Sequence, residues 1–228
     1  MSAAAASITL SRAVRFYQAT IGKKVVMAAS GVLLYGFVLL HLIGNLQVFL
    51  GPEKLNAYAQ SLRAFGPLLW VARGALLLAV IAHFVAAMQL WRINRVARPE
   101  RYRSLRPVES TYASRTMMLS GPIIGAFIGY HLMHLTFGNA HPQFNHELDV
   151  YRNVITGFRQ LPASIAYIAA MLLVGLHVQH GVWSMFQSAG FSHPRYTPWL
   201  RRFASASALF IVAGNISIPL AVLGGFLK

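Results

Sequence analysis

The sequence contains no cysteine and very few acidic side chains. Its 228 residues include 20 Lys or Arg but only 5 Asp or Glu. Without cysteine, this chain cannot form disulfides, hold an iron–sulfur cluster through thiolates or build a cysteine-based zinc site. Charged residues make up 11% of the chain, well below the roughly 25% typical of soluble domains. These shortages point away from a soluble protein.

Long apolar stretches are present instead. Hydrophobic residues form 56% of the chain, and five nearly charge-free windows, here called span 1 to span 5, cover about 25–50, 67–91, 116–138, 162–187 and 203–227. Each is long enough to cross a hydrocarbon core of about 30 Å at 1.5 Å per residue. The sequence therefore predicts an all-α integral membrane protein, with five transmembrane helices in a bundle that forms a single membrane domain over residues 1–228.

The basic residues fall mainly on one side of the predicted bundle. Fourteen lie before span 1, between spans 2 and 3 or between spans 4 and 5, whereas five lie in the other loops and at the C-terminus. The positive-inside rule then predicts a cytoplasmic N-terminus and an external C-terminus. The net charge of +15 is therefore attributed to membrane orientation, with no nucleic-acid partner. The basic loop 92–115 is the predicted docking surface for a partner.

Spans 1 to 4 each contain a histidine in an apolar setting, namely His41, His83, His131 and His177. An ionisable residue inside a membrane span is costly and marks a functional site by default. His41 and His131 lie about 12 and 10 Å from the external ends of spans 1 and 3, and His83 and His177 about 12–14 Å from the cytoplasmic ends of spans 2 and 4. Depth alone thus predicts two histidine pairs.

Paired imidazoles suit a haem iron, whose other four ligands come from the porphyrin. No Asp or Glu lies in any span, so a carboxylate-containing metal site is not expected there. We therefore interpret His41 and His131 as ligands of an outer b haem and His83 and His177 as ligands of an inner one. His134 and His180 are alternative ligands three residues further along, or hydrogen-bond partners of a propionate, a carbonyl or water.

Four other span residues are candidate neighbours of a haem or a quinone. Arg73 lies about six residues into span 2. Three roles are considered for it: its side chain extends to the membrane interface, pairs with a propionate of the outer haem, or contacts a quinone. Ser30, Gly44 and Trp183 are weaker candidates, because small and aromatic residues at helical spacing usually serve packing. The histidines of loop 139–161, which include His141, are expected to be solvated. No internal sequence repeat is recognised.

Four stretches of the chain resemble a known family of membrane cytochromes. They are "GKKVVMAASGVLLYGFVLLHLIGNLQVFLGPEKLNAYA", "PLLWVARGALLLAVIAHF", "GAFIGYHLMHLTFG" and "LHVQHGVWSMFQSAGF". The chain resembles the cytochrome b subunit of succinate:quinone oxidoreductases, in its single-chain, five-helix, two-haem form. That family places its haem ligands on the first four helices, here at His41, His83, His131 and His177. It pairs helix one with three and helix two with four, and it favours His177 over His180.

The resemblance implies the remaining features of the function. Flavoprotein and iron–sulfur subunits would dock on the basic face of a bacterial cytoplasmic membrane, and succinate chemistry would lie in the flavoprotein. Electrons would reach menaquinone through two b haems. The same architecture serves fumarate reduction by menaquinol, and a higher oligomer of the complex is left open. Since spans 3 to 5 contain no carboxylate, proton-coupled transfer through this chain is not expected.

Other classes remain as alternatives. A haem-free anchor for soluble subunits would show quinone reductase activity without a haem spectrum. A histidine-rich, metal-dependent membrane enzyme would place its histidines near the cytoplasmic surface, whereas these lie about 10 Å deep. A transporter would show paired inverted or discontinuous spans, which the sequence does not indicate.

Overall fold

The computed structural model describes residues 12, 14–97, 110–147 and 149–228, and this described part contains helices and no strands. Five of the helices are long and apolar enough to cross a membrane. The prediction of an all-α, five-span membrane protein is therefore confirmed. Half of the predicted docking loop 92–115, namely residues 98–109, lies outside the described residues.

The spans extend beyond their hydropathy windows at most ends. In chain order they are Thr20–Asn45 with a 3-10 segment Leu46–Leu50, Pro67–Val96, Tyr112–Leu132 with a π-helical segment Met133–Phe137, Leu161–Ser188 and Thr197–Leu223. Span 5 begins six residues before its predicted start, because the helix includes Arg201 and Arg202, which lie outside the charge-free window. It ends four residues before its predicted end, where Gly224 and Gly225 follow and Gly225 adopts φ +75°.

Two shorter helices lie in connections that the sequence analysis treated as loops. The first connecting helix, Pro52–Ala64, follows span 1, and the second, Val150–Arg159, follows span 3. Gly51 adopts φ +95°, a left-handed value that glycine tolerates, and the next residue, Pro52, starts its helix at a position that lacks an intrahelical N–H partner anyway. The Asp149 carboxylate caps the second connecting helix by accepting from the Arg152 N–H at 3.0 Å.

Cross-helix contacts fix the direction of each span. Span 1 packs antiparallel to span 2, since Tyr17 donates to Gln89 while Ser30 meets His83. Spans 3 and 4 are likewise antiparallel, and span 5 packs on span 4. Spans 1, 3 and 5 therefore run one way and spans 2 and 4 the other.

A buried cluster joins the connecting helices to spans 1, 4 and 5 at the end of the bundle that carries the C-terminus. It contains Val48, Leu55, Ile155, Phe158, Tyr167, Ile218, Val222 and Leu227. Along the rest of the spans many large apolar side chains are exposed, as expected for helices that face lipid. The histidines thus lie between helices whose outer surfaces are apolar.

Candidate functional site

The span histidines lie in two pairs, each formed by residues far apart in sequence. The 41/131 pair joins spans 1 and 3, with the ring centres of His41 and His131 5.8 Å apart. The 83/177 pair joins spans 2 and 4, with ring centres 6.2 Å apart. The structure therefore brings together the same partners that the depth argument proposed, while their role as ligands stays a prediction.

The two pairs lie at different depths. His83 meets Ser30 of span 1, and His41 lies eleven residues further along the same helix. His177 meets Ser120 of span 3, and His131 again lies eleven residues further along. Eleven residues of α-helix correspond to about 16 Å. Both odd-numbered spans therefore separate the pairs by the same rise along the bundle.

The spacing within each pair fits two imidazoles on opposite sides of one metal atom. Two imidazole–metal bonds of about 2.0 Å, with about 1.1 Å from each ligating nitrogen to its ring centre, put the ring centres about 6.2 Å apart. The observed separations are 5.8 and 6.2 Å. Among the described residues, no three His, Asp or Glu side chains come together as ligands of a bare metal ion. A group that needs only two protein ligands, such as haem iron, suits this donor set.

Hydrogen bonds around His83 determine which ring nitrogen is available as a ligand. The Met27 carbonyl lies 3.1 Å from His83 Nδ1 and can only accept, so Nδ1 carries the proton. The Ser30 hydroxyl also lies 3.2 Å from Nδ1 but donates its own proton to the Val26 carbonyl at 2.7 Å. The lone pair is therefore left on Nε2. Metal-bound histidines are oriented in this way by the partner of their second nitrogen.

His177 has a matching partner on span 3. The Ser120 hydroxyl is fully buried and lies 3.2 Å from His177 Nδ1. The hydroxyl also has the Met117 carbonyl at 3.4 Å to donate to, and when it does so its oxygen can accept from His177 Nδ1–H. A glycine follows each serine, and a Cβ on Gly31 would lie 3.4 Å from His83 Cε1. The two rings of the 83/177 pair thus have similar surroundings.

In the 41/131 pair only His131 has a hydroxyl partner. Tyr167, which is 7% exposed, places its hydroxyl 3.1 Å from His131 Nδ1 and 3.0 Å from His134 Nδ1. The His41 ring instead stacks on Phe37 at 5.2 Å and forms no hydrogen bond within the described part of the chain. The two histidines of this pair therefore have different surroundings.

The pairs reveal an internal repeat that the sequence analysis missed. Spans 1 and 3 both carry Ser-Gly followed by nine residues and His, and in each the serine contacts the histidine of the next span. The matched positions, each 90 residues apart, are Met27 and Met117, Ser30 and Ser120, Gly31 and Gly121, Phe37 and Phe127, and His41 and His131. A connecting helix follows each of these spans. Spans 1–2 and spans 3–4 are thus two copies of one structural unit.

His134 faces away from the 41/131 pair. Its ring is fully buried, stacks on His141 at 5.1 Å and lies beside Phe158, so His131 is better placed than His134 to share a ligand with His41. The expectation that His141 is solvated was wrong, because its ring is only 3% exposed. Its Nε2–H donates to the Asn153 carbonyl at 3.0 Å and its Nδ1 accepts from the Gln143 N–H, so the loop folds over this ring.

The other candidate residues lie near the pairs to different degrees. Ser30 contacts His83 directly, and His180 is partly buried one turn beyond His177. Gly44 packs under Tyr58, where a Cβ would meet the phenol ring, and Trp183 stacks with Arg201. Arg73 is exposed, with its guanidinium carbon 4.8 Å from the Trp70 ring centre. Direct contact with a histidine pair is thus observed for Ser30 alone among Ser30, Gly44, Arg73 and Trp183.

Sequence reasoning did not identify Ser120 or Tyr167. The recurrence of Ser-Gly-x9-His would have identified Ser120, whereas nothing in the sequence alone assigned Tyr167 to His131. No family model, curated protein or solved structure matches this chain. The site is therefore interpreted from its own geometry and from the resemblance described above.

Proposed function

We propose that this chain is the membrane-anchor cytochrome b subunit of a succinate dehydrogenase, passing electrons from an iron–sulfur subunit through two b haems to menaquinone. The proposal rests on the two histidine pairs. The rings within each pair are spaced for one metal atom, and the two pairs lie about 16 Å from each other along the bundle. The same subunit in a quinol:fumarate reductase would use the same residues in the opposite direction.

The chain's own residues would bind and orient the cofactors. His41 and His131 would hold one iron, and His83 and His177 the other. Ser30, Ser120 and Tyr167 each place a hydroxyl oxygen 3.1–3.2 Å from the Nδ1 of one ring, where it would accept from Nδ1–H and leave Nε2 free to bind a metal. A haem held by each pair would supply a one-electron carrier.

The apolar outer surfaces of the spans would keep water away from both pairs. In a low-dielectric setting, hydrogen bonds to the ligands have a larger effect than in water. The histidines contribute no formal charge while neutral, and no carboxylate lies in the spans. This setting suits electron transfer through the bundle more than proton transfer along it.

Partner binding is proposed for the basic end of the bundle. Arg92 and Arg95 lie at the end of span 2, and Arg195 and Arg201 lie near the start of span 5, so that several cations share one end. By the positive-inside rule this end would be cytoplasmic, and flavoprotein and iron–sulfur subunits would bind on that side of a bacterial inner membrane.

The test is a reduced-minus-oxidised visible spectrum of the purified protein, with haem quantified per chain. Two haems per chain with a split α-band are expected. A folded chain without haem would overturn the proposal. In that case quinone reductase activity of the assembled complex would indicate a haem-free anchor, and bound non-haem iron would indicate a metal-dependent enzyme.

A further inference from the structure

We infer that Tyr167 is the positioning residue of His131 and that it makes the electronic environment of the 41/131 pair different from that of the 83/177 pair. The inference rests on the proposed haem-binding function. Tyr167 is buried, and its hydroxyl bridges His131 Nδ1 and His134 Nδ1. None of the residues singled out in the sequence performs this role.

The repeat shows that Tyr167 is a difference between the two copies. When span 2 is aligned with span 4 on His83 and His177, matched positions are 94 residues apart, and Arg73 is the position that corresponds to Tyr167. Arg73 is exposed and lies over Trp70, so it does not serve His41 as Tyr167 serves His131. Likewise, the counterpart of His134 at a spacing of 90 is Gly44. The bridge from His131 through Tyr167 to His134 is therefore confined to the second copy.

The number of protons on the three side chains determines the direction of these hydrogen bonds once His131 Nε2 is assigned to a metal. If His131 binds a metal through Nε2, its Nδ1 carries the proton and donates to the Tyr167 oxygen. The single Tyr167 proton is then donated to His134 Nδ1, which places the His134 proton on Nε2. His134 Nε2 is the buried side-chain atom that lacks a hydrogen-bond partner within the described residues. The stacked His141 ring holds His134 in place while His134 accepts from Tyr167.

An acceptor on the second nitrogen makes a bound imidazole more basic. A more basic ligand stabilises ferric over ferrous iron, so the Tyr167 hydroxyl lowers the potential of a haem at the 41/131 pair. Removing the hydroxyl should weaken the preference for ferric over ferrous iron about tenfold, which corresponds to a rise of about 59 mV in the reduction potential of a one-electron couple. A haem at the 83/177 pair, about 16 Å away along the helices, should be unaffected.

The experiment is redox potentiometry of the purified protein carrying Tyr167→Phe, with the two haems assigned beforehand from His41→Ala and His83→Ala. Tyr130→Phe is the matched control, because Tyr130 belongs to the same aromatic cluster, and its hydroxyl forms no hydrogen bond within the described part of the chain. We expect a rise at the 41/131 haem alone in Tyr167→Phe and no change in Tyr130→Phe.

Unchanged potentials in a fully loaded Tyr167→Phe protein, or the same shift in Tyr130→Phe, would overturn the inference while leaving the proposed function intact. Wild-type protein without haem would instead overturn the proposed function. If Tyr167→Phe fails to assemble, Tyr167→Met is measured instead, because this flexible apolar side chain fills the space without a comparable acceptor. It should raise the same potential, and no shift would again overturn the inference.

Discussion

The two histidine pairs have similar distances between their ring centres but differ in the residues that contact the rings. In the 83/177 pair each ring meets a buried serine at 3.2 Å, and the two serines occupy equivalent positions of the repeat. In the 41/131 pair each ring lies against a phenylalanine, Phe37 or its repeat equivalent Phe127, but only His131 also meets a tyrosine hydroxyl. The two copies of the repeated unit are thus similar around the 83/177 pair and different around the 41/131 pair.

The asymmetry coincides with a difference in helix geometry beyond each pair. The 83/177 pair lies between long α-helical segments of four spans, one of which contains Pro122. The 41/131 pair lies where span 1 turns into a 3-10 segment and span 3 into a π-helical one, close to the connecting helices and their buried cluster. A π-helical turn is often found at functional sites because it reorients side chains, and here it contains His134. Irregular helix geometry therefore coincides with the asymmetric pair.

The largest effect is expected from removing one member of a pair. If the pairs hold haem as proposed, His83→Ala should remove the haem of the 83/177 pair and leave the other. His41→Ala should do the reverse, because each proposed iron loses one of only two protein ligands. Haem per chain would fall to about half in either variant. Quantified haem and the remaining α-band measure this directly. Loss of both haems from one substitution would show that the pairs are not independent.

A second test disturbs the asymmetric side without touching a proposed ligand. A Cβ on Gly157 would lie 3.0 Å from His134 Cε1 and 3.0 Å from His141 Nε2. Gly157→Ala should therefore overpack this cluster at a cost of about 1–3 kcal/mol, partly offset by the better helix propensity of alanine. We expect a lower melting temperature in detergent.

Gly74→Ala is the control for that test. Gly74 also lies in a helix, but a Cβ there meets nothing within 4 Å. The melting temperature of Gly74→Ala should stay the same or rise slightly. A melting temperature for Gly157→Ala that matched this control would show that the histidine cluster relaxes without cost, and the rigid support inferred for His134 would be wrong.

The sequence predicted the spans and the pairing of the histidines for a simple reason. Hydropathy and residue spacing report the length of each helix and the depth of each residue, and depth was enough to match His41 with His131 and His83 with His177. The connecting helices were missed because their composition is polar and short helices leave little hydropathy signal. The burial of His141 was missed because it depends on a loop that folds back onto the second connecting helix.

Hydrogen-bond partners were harder to predict than depth. Ser120 of span 3 contacts His177 of span 4, and Tyr167 of span 4 contacts His131 of span 3. Such contacts depend on the rotation of each helix about its axis, which packing determines. A sequence gives the rise along a helix more reliably than its rotation about the axis. Only the repeated Ser-Gly-x9-His pattern carried information about these second contacts.

A smaller effect is expected when the symmetric pair loses a serine on span 3. In Ser120→Ala the Nδ1–H of His177 loses the acceptor that the structure gives it at 3.2 Å. The ligand becomes less basic, so the preference of the 83/177 haem for ferric over ferrous iron should weaken about tenfold. This corresponds to a rise of about 59 mV in its reduction potential. Potentiometry checks this, with the 41/131 haem as the internal reference. A shift of the reference haem alone would contradict the assignment of Ser120 to the 83/177 pair.

The smallest effect is expected for the equivalent serine on span 1. In Ser30→Ala, His83 Nδ1–H keeps the Met27 carbonyl as an acceptor at 3.1 Å, so the ring retains its tautomer and most of its basicity. The potential of the 83/177 haem should therefore move in the same direction as in Ser120→Ala but by less than half as much. Equal shifts in the two variants would mean that the Met27 carbonyl contributes little. The two serines would then be equivalent in function as well as in position, and the symmetry of this pair would be complete.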